Sequence, residues 1–341
     1  MRTIIAIAFG TTGVLQQTDV EDPVPGPGQI VVDVEAVGVL WLDTQIRQGR
    51  GPEQFAVAPP YVPGGTVGGT VSAAGPGAGD SWLGRRVLVH SAVGGYAERV
   101  PAETTALVPV PDGLGLPEAT ALLDDGTTAL ALLERTPVRP GEHVLVLPAA
   151  GGLGSLLVQM AASAGATVIG AARGSAKADL VRSLGATHVV DYAEDGWSDA
   201  VRRLVPDGPG VVFDGIGGAV GATAAALVTD GGRFSSYGVA GGAPTVVPPE
   251  RRVTATGMEQ LAEFGADRAR RARDVLDAAA AGRLRPVIGQ TYPLVDAARA
   301  HDDIEERRVT GKSLLLVSGS DRQTTTMPRS ASSASRALPG A

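Results

Sequence analysis

The chain contains no cysteine in its 341 residues. Disulfides, thiolate metal sites and cysteine nucleophiles are therefore excluded. Histidine is nearly as rare. The four, His90, His143, His188 and His301, are widely separated, so no two have the spacing of metal ligands on one element. Aromatic residues make up only 4% of the chain, which leaves Ala, Val and Leu to fill the cores. Long apolar runs are missing too. The first, Ile4–Phe9, falls far short of the roughly 20 residues of a membrane span, and the proline and acidic residues after it do not form a signal-peptide cleavage region. An N-terminal strand, a cytoplasmic address and no membrane partner are the expectations. Excess positive charge is also lacking. The formal net charge of -7 provides no broad basic field for nucleic acid. No Gly-x-Ser-x-Gly elbow follows a strand, so a hydrolase triad has no support.

What is present is glycine, at 47 residues, with 44% apolar and 19% charged residues. That mix belongs to a folded chain, long enough for two domains, with many tight turns. The first 120 residues read as β-rich. Ile4–Phe9, Gln29–Val39, Thr66–Ala74 and Arg86–His90 are β-branched runs separated by breakers such as Pro23-Val-Pro-Gly-Pro-Gly28. From Thr120 the rhythm becomes strand and helix in alternation. Helices are expected at Thr120–Arg135, Leu153–Ala164 and Ala176–Leu184, and strands at His143–Leu147, Thr167–Ala171, His188–Val190, Val211–Phe213 and Arg233–Tyr237. Such alternation specifies a parallel sheet covered by helices on both faces. Further on, Met258–Ala281 reads as helix, Pro286–Tyr292 as strand, Val295–Glu306 as helix and Ser313–Val317 as a closing strand. The stretch 318–341 is rich in Ser, Thr, Pro and Ala without apolar period, the composition of a disordered tail.

The most informative segment is His143-Val-Leu-Val-Leu-Pro-Ala-Ala-Gly-Gly-Leu-Gly154. An apolar strand runs into Gly151, Gly152, Leu153 and Gly154, a helix follows at once, and a second strand comes after it. Glycines here let backbone N–H groups approach a pyrophosphate, and the helix N-terminus adds its partial positive charge. A Gly-rich turn also serves simple strand–helix packing. The end of the next strand reports on cofactor choice. NAD-binding folds place an acid there for the ribose hydroxyls. This chain instead reads Gly170-Ala-Ala-Arg173-Gly-Ser175-Ala-Lys177. Two cations and a hydroxyl suit the 2′-phosphate of NADPH, although the same residues would also sit comfortably in solvent at a helix start.

With these residues in hand, the chain resembles the zinc-independent medium-chain dehydrogenase/reductases, in their quinone oxidoreductase branch. The resemblance covers residues 1–317. It rests on Pro25-Gly-Pro-Gly-Gln-Ile-Val-Val, Val37-Gly-Val-Leu-Trp-Leu-Asp43 through Gly49, Pro63-Gly64 through Gly75, Gly95-Tyr-Ala-Glu98 and Arg139-Pro-Gly-Glu142. Leu184-Gly-Ala186, Asp214-Gly-Ile-Gly-Gly218, Gly231-Gly-Arg233 and Thr310-Gly-Lys312 also carry it.

The resemblance implies an α/β chain, with a GroES-like β-rich catalytic domain at 1–122 and 286–317 and a Rossmann doubly wound parallel sheet at 123–285. It implies NADPH in the cleft, a small electrophilic substrate such as a quinone or an α,β-unsaturated carbonyl, and a homodimer. It places Lys177 and Tyr192 at the 2′-phosphate with Arg173 and Ser175 assisting, and Thr128 at the ribose and phosphate. Ile216, Gly217, Tyr237 and Gly238 would line the nicotinamide, and Arg307 would make a late-chain cofactor contact. Asp43, Thr44 and Ile46 lie where the catalytic domain closes over the nicotinamide. Where zinc-dependent relatives carry ligands, this chain has Leu40 and Gly65. The family's Asn-Pro before Asp43 is Leu40-Trp41, and its Gln before Gly-x-Thr is Asp125, preceded by Asp124. Asp43 and Asp125 are the candidate acids; Asp124 and Asp125 read equally as a charge pair on the N-terminus of a helix at Thr127. An enoyl-thioester reductase and an NADPH-binding protein without turnover are the alternatives. Trp41, Phe55, Tyr61 and Trp82 are candidates to line the substrate side, and His90 is the one histidine close to the expected cleft.

Overall fold

The computed structural model describes residues 1–317 apart from 92, 249 and 251; the expected tail at 318–341 lies outside the described residues. The chain opens with β1 (Arg2–Ala6) and β2 (Leu15–Asp19), an antiparallel pair. A second sheet collects β3 (Gln29–Val39), then, after α1 (Trp41–Arg47), β4 (Thr66–Ala74), β5 (Arg86–His90), β6 (Arg99–Glu103) and β7 (Leu107–Pro109). The 11-residue β3 is its spine. It pairs along its length with β4, and at its N-terminal half also with β6. Alternating burial on these strands builds one core from Ile30, Val32, Val34, Val67, Val71, Val87 and Val89.

The 20-residue α2 (Leu116–Arg135) leads into the second half, with a proline in its first turn. There β8 (His143–Leu147), α3 (Gly152–Ser163), β9 (Thr167–Ala172), α4 (Ala178–Ser183), β10 (His188–Asp191), α5 (Trp197–Leu204), β11 (Val211–Asp214), α6 (Gly218–Leu227), β12 (Arg233–Ser236) and β13 (Thr254–Thr256) alternate. The six strands are all parallel, in the order β10-β9-β8-β11-β12-β13. The order reverses between β8 and β11, the switch point at which doubly wound sheets open a crevice. Strands buried on both faces read as continuous apolar runs, and Val144 to Leu147 are all fully covered.

The chain then passes through α7 (Gln260–Glu263) and α8 (Arg268–Ala280) and returns to the sheet of β3 as β14 (Ile288–Pro293), α9 (Ala297–Glu305) and β15 (Lys312–Leu316). β15 pairs antiparallel with the C-terminal half of β3, and β14 lies parallel to β15. The fold is thus α/β, a β-rich GroES-like part joined to a parallel Rossmann sheet. α8 packs on α2, and the approach is close: a Cβ on Gly126 would fall 2.6 Å from Val275 Cγ1.

One sequence reading is corrected here. Asp124 and Asp125 are not at a helix N-terminus, because α2 begins at Leu116 and both carboxylates sit in its middle, buried. The helix dipole therefore does not stabilise them; cations from other elements do.

Candidate cofactor cleft

The turn between β8 and α3 shows how differently three glycines are used. A Cβ on Gly154 would sit on the Pro148 carbonyl oxygen, so this glycine is required by strand–helix packing. A Cβ on Gly152 would fall on the Asp125 carboxylate. At Gly151 the nearest atom would be 3.7 Å away, and its backbone, with φ -80° and ψ 172°, suits any residue. Only Gly151 is open on the side where a phosphate would lie. The GroES-like part is stitched to this turn directly: Gly311 N–H donates to the Ala150 carbonyl at 2.7 Å, and Gly151 and Gly311 form a parallel bridge.

A cavity of about 360 Å³ opens at the carboxyl ends of the Rossmann strands. Its floor is Pro148 and Ala150 to Gly154. One end is formed by Arg173, Lys177 and Tyr192, closed by Arg307 and Val309. The other is formed by Gly215, Ile216, Tyr237 and Gly238, with Trp41 and Glu305 across from them. Most of the expected cofactor residues therefore share one cleft. Thr128, Ser175 and Gly217 do not line it: Thr128 is half-buried on α2, Ser175 is exposed, and Gly217 is buried against the Ala243 carbonyl.

At the cationic end Lys177 Nζ donates to the Val309 carbonyl at 2.7 Å, and burial followed by Arg173 lowers the pKa of its ammonium. Asp191, the acid nearest this loop, accepts from Gly174 N–H at 2.8 Å and shapes the loop. Burial raises the Tyr192 phenol, while Arg173 and Arg307 pull it down. Arg307 adopts φ 59°, a left-handed conformation that an L-residue holds only at a cost, in the turn after α9 where glycine is usual. Its guanidinium donates to the Ala240 carbonyl at 3.0 Å and so reaches across the cleft.

At the apolar end, Asp214 folds the Gly215–Gly218 turn. Its Oδ1 accepts from the N–H groups of Ile216 at 2.8 Å and Gly217 at 3.0 Å. Tyr237 packs over Gly215, where a Cβ would meet its ring, and its hydroxyl donates to the Leu147 carbonyl at 3.1 Å. Burial, then Asp214 and Asp125, drives this phenol well above its ordinary value, so it stays a neutral donor.

Behind the cleft lies a polar layer in which Asp43, Asp124, Asp125 and His90 were singled out from the sequence and Arg47, Arg268 and Glu305 were not. Asp43 is 5% exposed and accepts from Leu40 N–H at 2.8 Å, closing the first turn of α1. Burial pushes its carboxyl up to about 7, opposed by the Leu40 N–H and Lys312. Arg47, fully buried on α1, pairs with Glu305 at the cavity wall. His301 is buried with Nε2 2.8 Å from the Tyr96 hydroxyl, and burial lowers its pKa to about 3, so it is a neutral core residue. Asp125 lies 3.3 Å from the buried Lys312 ammonium, and burial leaves its carboxyl raised despite that partner. Asp124 is held far below the carboxylate range: burial opposes ionisation, but His90, Arg268 and Lys312 more than offset it. Thr66 Oγ1 also donates to it. Of the substrate-side candidates, Trp41 lines the cavity; Tyr61, Phe55 and Trp82 do not, and Trp82 packs against the GroES-like core.

The family also contains zinc enzymes, and the residues here do not fit that metal. Leu40 and Gly65 supply no ligand, and the donors nearby, His90 and Asp124, touch each other and are both bound by the Arg268 guanidinium. A cation already fills that site.

Comparison with known proteins agrees with this geometry. Residues 26–112 match the family described as alcohol dehydrogenase GroES-like domain, and residues 152–274 match the zinc-binding dehydrogenase family. A 2-haloacrylate reductase from a Burkholderia species is 32% identical over 308 residues, covering 86% of this chain and 92% of the relative. A quinone oxidoreductase of Sus scrofa is 32% identical over 330 residues, covering 93% and 98%. The solved structure of mycobacterial Rv1454c complexed with NADPH is 35% identical, with a TM-score of 0.83 over 93% of this chain and 99% of that one. By these measures, the chain belongs to the quinone oxidoreductase-like branch of the medium-chain dehydrogenase/reductase superfamily.

Proposed function

We propose that this protein is an NADPH-dependent, zinc-free reductase that transfers hydride to a quinone or an α,β-unsaturated carbonyl. The observation that carries the cofactor is the end of β9, where Arg173 and Lys177 stand with Arg307 around Tyr192 and from which the chain has no Asp or Glu before Asp179. A 2′-phosphate supplies the anion those cations lack. The mycobacterial relative complexed with NADPH supports the same choice.

When bound, the nicotinamide supplies the hydride. The chain binds and orients it. Gly151 and the α3 N-terminus accept the pyrophosphate, Tyr237 and Ile216 form an apolar bed at the other end, and Trp41 excludes water from the reacting side. A conjugated carbonyl needs only hydrogen bonding at oxygen as charge develops there, in keeping with a cleft built without a metal. The Burkholderia relative, named for reduction of a haloacrylate, supports an activated alkene as acceptor. A homodimer, implied by the family resemblance, is part of the proposal and is read by sedimentation.

The deciding experiment follows NADPH oxidation spectroscopically with menadione, cyclohexenone and 2-chloroacrylate as acceptors, and repeats each with NADH. Turnover of at least one with NADPH preferred is the expected result. Binding of NADPH without oxidation by any acceptor would sink the reading.

A further inference from the structure

The cluster that excludes zinc has the form of an acid catalyst. The strand register places His90 opposite Thr66 and Thr66 opposite Gly38, one rung across β5, β4 and β3. Three residues beyond Gly38 comes Trp41, in the wall of the cofactor cavity. On the far side, Asp125 rests on Gly152 of the dinucleotide turn, and its neighbour Asp124 faces His90. The imidazole thus contacts α2 one residue along from the carboxylate that rests on the cofactor turn. Its Nδ1 edge is committed: Asp124 Oδ1 lies at 3.1 Å, Arg268 Nη2 at 3.0 Å and Thr66 Oγ1 at 3.4 Å. Nε2 has no hydrogen-bond partner among the described residues, and the side chain is 37% exposed while Asp124 is only 11% exposed. A buried carboxylate behind a half-open imidazole fixes the ring and compensates its positive charge.

We propose that His90, oriented by Asp124, is the proton donor of the reduction, its Nε2–H facing the substrate carbonyl oxygen. This rests on the reductase reading above. As the new C–H bond forms at the β-carbon of the acceptor, the alkene π pair moves toward the carbonyl carbon and the carbonyl π pair moves onto oxygen. The Nε2–H bond breaks, its electron pair stays on nitrogen, and the proton forms the O–H bond of the enol. Water reprotonates the imidazole after release, and the enol becomes the ketone in solution. With a quinone the same proton lands on the carbonyl oxygen. The charged groups facing this site are Asp124 and Asp125 from α2, Arg268 from α8, Lys312 from β15 and Asp43 from α1.

The test compares the wild type with His90→Gln and His90→Phe. Glutamine keeps hydrogen bonding but provides no transferable proton. Melting temperature should stay within a few degrees of the wild type and NADPH affinity within twofold, showing an intact fold and cofactor site. Turnover should drop by about 100-fold, the low end for loss of a general acid. A readout independent of turnover is para-nitrophenol bound to the NADP⁺-loaded protein, its phenolate mimicking the enolate oxygen. Binding should weaken at least tenfold in His90→Phe, and imidazole NMR shifts in the wild type should respond to it. Unchanged turnover in His90→Gln would overturn the assignment while leaving the reductase reading intact. An inactive wild type overturns both.

Discussion

Lys177 reaches from the end of β9 to the Val309 carbonyl, 2.7 Å from its ammonium, and so joins the Rossmann sheet to the segment that carries Arg307. That bond uses one of three donors of the ammonium. The other two are free to meet a 2′-phosphate in a cavity that Lys177, Arg173 and Arg307 all line.

Lys177→Ala should therefore erase most of the preference for NADPH over NADH. We expect the wild type to favour NADPH at least tenfold, about 1.4 kcal/mol in binding free energy, and the variant to bind both alike. Fluorescence titration with each nucleotide measures this. A variant with the wild-type ratio and only a lowered melting temperature would reduce Lys177 to a tether for Val309.

The glycine turn predicts a separation of fold from function. Gly154→Ala drives its Cβ into the Pro148 carbonyl and should cost about 3 kcal/mol or more, the upper end for overpacking, with or without nucleotide. Gly151→Ala meets nothing nearer than 3.7 Å and should melt within a few degrees of the wild type. Its NADPH affinity should still fall at least tenfold, because the new methyl lies where the pyrophosphate approaches. Thermal melts of both variants, with and without NADPH, distinguish the two effects. Equal nucleotide affinity in Gly151→Ala would mean the turn is structural throughout.

Asp43 predicts a pH effect on stability. Its folded value of about 7 lies above the ordinary aspartate value of 3.8, so the unfolded chain releases this proton more readily. The stabilising contribution of the protonated form is complete below about pH 4 and is lost as pH rises toward and through 7. Asp43→Asn keeps an oxygen for Leu40 N–H and removes the titration. Its stability relative to the wild type should rise between pH 4 and pH 8. At about 1.4 kcal/mol per pH unit between the two values, about 4 kcal/mol is the upper bound. Denaturant melts across that range check the sign, and a difference independent of pH would show that Asp43 is ionised throughout.

Much of the fold was legible because its strands are short, apolar and bounded by breakers. Gln29–Val39, Thr66–Ala74, Arg86–His90 and His143–Leu147 have the bounds their residues suggest. α1 was not legible. No helix was expected after the strand Gln29–Val39, and this one is set by the Asp43 carboxylate on Leu40 N–H and by packing against α9, far along the chain. α2 begins four residues earlier than its apolar pattern suggests, because Pro117 can open a helix as well as interrupt a strand.

The sequence by itself determined the dinucleotide turn, the missing acid after β9 and the absence of thiolate ligands, since these depend on residue type at local spacing. Only the tertiary structure decided what the buried acids do. The partners of Asp124 are His90 and Arg268, that of Asp125 is Lys312, and that of Glu305 is Arg47, each brought from a distant element. Whether a carboxylate caps a helix, holds a cation or orients an imidazole depends on which charges reach it at low dielectric, and the folded chain alone sets that distance.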